Sequence, residues 1–261
     1  MSEYRTIRAD LADGVLTITL NRPERMNALT PTLLAEATAA VDEGIAQGAR
    51  VLLLTGEGRA FCSGADLVGE GGDALPEDLG ELVERHYNPF VEKIAGLDIP
   101  VVTAINGPAV GAGLSLALLG DISIAARSSY MLLAFVNIGL VPDAGATWLV
   151  AKAVGRTKAL ELALLGERIT AEKAVEMGLV TRWAEDGAVL GEAQRIARKL
   201  ATGPAVAIGL IRKQVAAALN QTLGESLATE RANQTRAGFT EDLKEAVAAF
   251  AEKRPPVFKG K

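Results

Sequence analysis

Apolar and polar residues alternate at period two in "YRTIRAD" and again in "GVLTITL", with "LADG" between them and "NRP" behind them. Side chains of an extended chain point to opposite faces in turn, so the pattern predicts two half-buried strands closed into a hairpin. The period then lengthens. "TPTLLAEATAAVDEGIAQ" carries apolar residues at helical spacing behind Thr30, a candidate N-cap, and Pro31, which suits the first helical position. "RVLLLTG", "PVVTAI" and "DISIAA" follow as short apolar runs separated by helical segments, the pattern of parallel strands covered on both faces. From Trp148 onward helices rich in Ala and Leu dominate: "WLVAKAVG", "KALELALLG" and "TAEKAVEMG", each ended by glycine, then three or four more up to "DLKEAVAAFAEK" and a basic tail, "KRPPVFKGK". The expected fold is α/β, with a core over 1–190 and a helical region over 191–261.

Composition narrows the function classes. With 261 residues, 49% of them hydrophobic, the chain can bury a large core. Its net charge of −5 gives no footprint for nucleic acid. One cysteine, Cys62, excludes an intrachain disulfide, and with one histidine, His86, it excludes an ordinary Cys/His zinc cluster. The charged start "MSEYRTIRAD" lacks the apolar stretch of a secretory signal, so a cytoplasmic location is expected. The uncharged stretch from Ile99 to Gly120 is long enough to span a membrane, but Asn106-Gly107-Pro108 would break such a helix at mid-bilayer; a strand, a turn and a buried helix are expected instead.

Three glycine-rich stretches follow predicted strands: "GEGRAFCSGADL", "NGPAVGAGLSLALLGD" and "GLVPDAGAT". Each can present backbone N–H groups at a helix start, where amides and the helix dipole favour negative charge. Gly111-Ala112-Gly113 fails as a dinucleotide turn, because Leu116 stands at the third glycine and the next strand ends in Arg127 rather than an acid. Gly113-Leu114-Ser115-Leu116-Ala117 fails as a nucleophile elbow, because no strand leads directly into Ser115 and no histidine follows it. Asp143, between Pro142 and Ala144-Gly145, has two open readings. It can cap the helix of "ATWLV", which would depress its pKa, or face apolar Phe135, Val136 and Ile138, which would raise it toward a useful base; Thr147 could cap in its place.

These stretches, with "LNRPERMNALT" before them and "ALLGERITAEKAVEMGLV" after, resemble the enoyl-CoA hydratase/isomerase family, the crotonase superfamily, over essentially the whole chain. The resemblance implies a spiral of βαβ turns with a helical C-terminal region engaged in oligomerisation, as a homotrimer or dimer of trimers. It implies acyl-CoA thioester substrates, no metal or other cofactor, and coenzyme A entering only as part of the substrate. Two backbone amides, those of Ala65 and Ala112, are expected to hold the thioester oxygen as it becomes an enolate; such a donor is worth about 10²–10³ in rate. The resemblance also implies contacts to substrate from Arg25, Ala28, Asp66, Leu67, His86, Tyr87, Ser115 and Phe135. Phe258 and Lys259 are expected to reach coenzyme A from a neighbouring subunit, and Arg22, Lys253 and Arg254 are further candidates for its phosphates.

The two glutamates of hydratases map onto Ser115 and Phe135, neither of which can exchange a proton at neutral pH. "FVNIGLVPDAGATWLV" and "RHYNPFVEKI" look most like the ring-epoxide isomerases of phenylacetyl-CoA catabolism, which are similar in mechanism to Δ3,Δ2-enoyl-CoA isomerases, and there Asp143 falls at the base. An isomerase with one catalytic aspartate is therefore expected. The rivals are a hydratase, a hydrolase, a dehalogenase, whose histidine maps onto Asn88, and a non-catalytic acyl-CoA binder. Hydration of crotonyl-CoA is expected to be negligible; formation of 3-hydroxyacyl-CoA at the rate of an ordinary hydratase would contradict this.

Overall fold

Strands buried on both faces organise the chain. The computed structural model describes residues 2–68 and 77–261. Its strands are β1 (Ile7–Ala12), β2 (Val15–Leu20), β3 (Val51–Gly56), β4 (Val101–Ile105), β5 (Ala109–Val110), β6 (Ile122–Ala126), β7 (Tyr130–Leu132), β8 (Ile169–Thr170) and β9 (Arg182–Ala184). Its helices are α1 (Pro31–Ala46), α2 (Leu79–Leu82), α3 (Asn88–Gly96), α4 (Ala112–Leu118), α5 (Ala146–Leu165), α6 (Ala171–Glu176), α7 (Val189–Ala201), α8 (Ala205–Ala218), α9 (Leu223–Gly238) and α10 (Glu241–Glu252). The main sheet runs β1-β2-β3-β4-β6-β9, with only the β1–β2 pair antiparallel, and a small second sheet runs β5-β7-β8.

The first hairpin pairs Ile7 with Leu20 and Ala12 with Val15. Leu11 and Ala12, expected in the turn, belong to the strand, because Asp13 and Gly14 both take positive φ and close the reversal in two residues. Thr30 caps α1 as expected, its hydroxyl oxygen accepting the Leu33 amide at 3.1 Å, with Pro31 at the first helical position. Along β3 the faces alternate: Leu52 and Leu54 join the core under α1, α3 and α4, while Val51 and Leu53 join a second core under α7. Each is at most 1% exposed, which is why these runs show no polar face. The two predicted helices "WLVAKAVG" and "KALELALLG" form one element, α5, broken at Gly155.

The expected boundary at 190 falls at the start of α7. That helix packs Val189, Ala193, Ile196 and Ala197 against the sheet and belongs with the core. The helices that leave the core begin at α8, after Gly203-Pro204. None of α9 is buried, and Phe239 and Phe250 are more than 80% exposed.

Arg212 of α8 holds this arm in place. Its side chain, 9% exposed, donates to both carboxylate oxygens of Asp121 at 2.9 and 2.7 Å and to the carbonyls of Ile94, Ala95 and Leu97 at 2.9, 2.8 and 2.6 Å. Asp121 also accepts the Val101 amide at 2.7 Å, so one cluster joins α8, the end of α3 and the start of β4. Arg212→Met is expected to lower stability by about 2 kcal/mol, since it leaves three backbone carbonyls and a partly exposed carboxylate without their donor. Urea unfolding measures this, and a change within about 0.5 kcal/mol of zero would class Arg212 with ordinary surface residues.

Candidate active site

Two loops that leave neighbouring parallel strands interlock at the carboxyl end of the sheet. Residues 57–65 follow β3 and residues 106–111 follow β4. Cys62 donates its amide to the Pro108 carbonyl at 3.1 Å, and its own carbonyl accepts the Val110 amide at 3.0 Å. The loops then approach too closely for side chains. A Cβ at Gly113 would be driven into the Cys62 carbonyl, and one at Gly64, whose φ is +100°, would sit 2.9 Å from the Val110 oxygen. That same point lies 3.7 Å from the Ala112 nitrogen, so the segment bearing Ala65 and the start of α4 bearing Ala112 meet.

Both amides are left over by this packing. Ala65 bridges Leu29 in parallel, with the bonds made by its neighbours: Leu29 donates to Gly64 at 2.7 Å and Asp66 donates to Leu29 at 2.9 Å. Ala112 opens α4, where the first N–H groups have no intrahelical partner. Neither N–H donates to an acceptor among the described residues. Phe135, buried in the one-and-a-half-turn 3-10 helix Ala134–Ile138, brings its ring tip over Gly111.

Asp143 lies two residues before Gly145, the residue that precedes α5, and that helix start has no side-chain cap. Neither Asp143 nor Thr147 caps it; Thr147 lies inside the helix. The Asp143 main-chain carbonyl accepts the Ala146 amide at 2.9 Å and the Ser115 hydroxyl at 3.1 Å, whereas Oδ1 of its carboxylate is buried and meets no hydrogen-bond donor among the described residues. Burial pushes the carboxyl up to about 6, and contact with its own amide offsets only part of that. Desolvation is the cause expected, but not all of the residues expected to supply it do so. Val136 and Ile138 are exposed, and Val136 lies against Gly166, so they do not enclose the acid. Val91 and Leu149 instead flank Gly145, and Tyr87 is close enough for the Asp143 charge to help hold its phenol above the usual range, after burial.

The remaining expected residues divide. Tyr87 is buried and donates to the Leu29 carbonyl at 3.3 Å, within the bridge that orients Ala65. His86, next to it on a π-helical turn, is exposed. Ser115 is fully buried, with its hydroxyl turned to Asp143 rather than to an open surface. Ala28 is buried, and its carbonyl accepts Arg22 at 2.6 Å. Arg22 also pairs with Asp66 at 2.7 Å, so it is a strut rather than a free cation. Burial raises the Asp66 carboxyl, but bonds from Arg22 and the Val68 amide, with the Arg22 and Arg25 charges, outweigh it and hold the group below the ordinary range. Arg25 and Leu67 are exposed beside this pair.

Cys62 is wholly buried, with its thiol pushed by burial up to about 12, and is inert. Arg254 is engaged by Glu245 and Glu252. The tail folds back on its own chain: Asp242 accepts the Lys259 and Gly260 amides, and Gly260 lies against Arg50 at the amino end of β3. Phe258 and Lys259 therefore lie at the opposite end of the sheet from their own chain's Asp143.

Two residues hold the loops without having been singled out beforehand. Buried Asn27 donates to the carbonyls of Glu57 and Ala60 at 2.9 and 2.8 Å, and Asn106 accepts the Gly56 amide and donates to the Gly58 carbonyl. Their partners are distant in sequence, so no local pattern marks them.

The Asp143 shift carries a stability consequence. Its folded value lies above the ordinary 3.8, so the folded state binds this proton more tightly than the unfolded chain does. The ionised form destabilises the fold above about pH 6; the penalty fades as pH falls and is gone below about 4. Asp143→Asn is expected to be more stable than the parent at pH 8 by on the order of 2 kcal/mol, the two converging near pH 4. Equal urea midpoints at pH 8 would contradict a desolvated acid.

The sequence model of the enoyl-CoA hydratase/isomerase family matches residues 10–261. The chain is 45% identical over 260 residues to the 1,2-epoxyphenylacetyl-CoA isomerase of Escherichia coli, covering 98% of each. It is 42% identical over 260 residues to a Rhodobacter capsulatus protein bearing the name of an enoyl-CoA hydratase, covering 99% of each. The crystal structure of an enoyl-CoA hydratase from Bacillus anthracis superposes with a TM-score of 0.92 at 33% identity, over 98% of this chain and 100% of that one. With the two interlocked loops at the end of a βαβ spiral, these matches make the conclusion direct: the fold is of the crotonase type, and the chain belongs to the enoyl-CoA hydratase/isomerase family.

Proposed function

We propose that this protein is an acyl-CoA isomerase in which Asp143 is the only proton carrier. The observation that carries the reading is the Asp143 carboxylate itself, half-buried, without a hydrogen-bond donor on Oδ1 and raised to about 6, with Ser115 and Phe135 where a hydratase has glutamates. A base with that value is ionised at neutral pH yet basic enough to accept a proton from carbon, and the nearby Asp66 is engaged by Arg22 rather than free to activate water. On a 3-enoyl thioester, Asp143 removes a proton from the α-carbon. The electron pair moves onto the thioester oxygen, which the Ala65 and Ala112 amides bind as an enolate. Collapse of the enolate moves the double bond, and Asp143 returns the same proton to the carbon two positions away. Nothing is oxidised or reduced, and no cofactor is required beyond the coenzyme A of the substrate.

The similarity to the Escherichia coli isomerase favours a ring epoxide as a second substrate type for the same pocket, with Asp143 again transferring protons. Exposed Arg25 is proposed to meet the coenzyme A phosphates. Phe258 and Lys259 serve a neighbouring copy's site, which accords with their distance from their own. The exposed apolar faces of α8 to α10 are proposed to close a homotrimer or a dimer of trimers.

Asp143→Asn is expected to lower turnover of a 3-enoyl-CoA by at least about a hundredfold while leaving acyl-CoA affinity nearly unchanged, as for loss of a general base. In the parent enzyme kcat/KM is expected to fall on the acid side with a midpoint near pH 6, as Asp143 becomes protonated. Steady-state kinetics and calorimetry test both. An active Asn variant, or full activity at pH 5, would remove Asp143 from the reaction.

A further inference from the structure

Among the described residues, no side chain donates to the carboxylate at the centre of the proposed site. Oδ1 of Asp143 is buried without a donor among the described residues, so the placement of the acid depends on the backbone that carries it. That backbone is tied at one atom, the Asp143 carbonyl oxygen. It accepts the Ala146 amide at 2.9 Å, which closes the local turn into α5, and the Ser115 hydroxyl at 3.1 Å, which reaches across from α4. The first bond shapes the turn. The second ties the turn to another element.

That element is the one that carries the Ala112 amide. Ser115 stands three residues after Ala112 on α4, with its own amide bonded to Gly111 at 3.2 Å. The helix has little freedom. At its start Gly113 is pressed against the Cys62 carbonyl, and at its end the Ala117 carbonyl accepts the Thr103 hydroxyl of β4 at 2.9 Å. Ser115 is wholly buried, as are Leu114 and Ala117 on either side of it. A hydroxyl on a rigid helix, one turn from a free amide, therefore sets where the acid-bearing turn sits relative to that amide.

We propose that Ser115 is a positioning residue for the reaction, whose hydroxyl fixes Asp143 at its working distance from the Ala112 amide. The inference rests on the proposed role of Asp143 as base. A serine at this place would then have replaced a proton-exchanging side chain with a tether for the one that remains. Misplacing a reacting group by about 1 Å can cost about a hundredfold in rate without changing what binds.

The test uses the full-length protein with Ser115→Ala and Ser115→Thr, both checked for folding by circular dichroism and thermal unfolding, and a 3-enoyl-CoA as substrate. Removing the hydroxyl is expected to lower kcat about ten- to a hundredfold with KM within twofold of the parent, and to shift the acid limb of the kcat/KM profile, because the carboxyl leaves its buried position. Restoring a hydroxyl with threonine is expected to recover most of kcat and return the acid limb. An Ala variant that folds and keeps kcat within twofold overturns the proposal. So does a Thr variant as slow as Ala, which would make side-chain volume the cause. If Asp143→Asn is inactive while Ser115→Ala is normal, the inference fails and the base assignment stands; if Asp143→Asn is active, the assignment fails first.

Discussion

The structure depends on two backbones meeting without side chains between them. Cys62 exchanges main-chain bonds with Pro108 and Val110, and Gly64 and Gly113 are the points at which a single Cβ would force the loops apart. Parallel strands β3 and β4 deliver the loops to the same end of the sheet, and the interlock turns that proximity into a fixed arrangement of amides. The bonds to Asn27 and Asn106 stiffen the approach to it. Because amides rather than side chains are presented, alanine at positions 65 and 112 offers the same donor as any other residue except proline. The precision comes from packing beneath the amides.

Electrostatics and stability oppose one another around Asp143. A carboxylate that accepted donors would be comfortable and weakly basic; this one is held where burial outweighs its contacts, and the fold bears the cost when it is ionised. The contrast with Asp66 is instructive. That acid is also partly buried, yet Arg22 and the Val68 amide keep it in the charged form, and it braces the loop. Two aspartates thus differ because Asp66 has a cation and Asp143 meets none among the described residues.

The C-terminal helices extend the same logic outward. Arg212 gathers Asp121 and three carbonyls at the junction of α8 with the core, so the arm leaves at a defined angle. Beyond that junction apolar side chains such as Phe239, Val247 and Phe250 face outward. The folded-back tail, held by Asp242, places Phe258 and Lys259 away from their own chain's acid.

Much of this was legible in the order of residues. Period-two alternation marked the hairpin, doubly apolar runs marked the buried parallel strands, and Thr30-Pro31 marked the start of α1, because each depends on which local face is covered. Glycines marked the breaks in α5 and the close approaches of the loops, since only they can occupy such backbone. What stayed hidden was decided by contacts between residues far apart in sequence. Local pattern left Asp143 open between a helix cap and a buried base, and only the packing around α5 left its Oδ1 without a donor among the described residues. Adjacent His86 and Tyr87 read as a pair until tertiary packing covered Tyr87 and left His86 exposed. Arg22 read as a free cation until Asp66 and the Ala28 carbonyl were brought to it across the loop. Local periodicity decides which face of an element is buried; which groups meet there, and so which charges are neutralised and which are not, is set by the crossing of elements that the tertiary structure alone brings together.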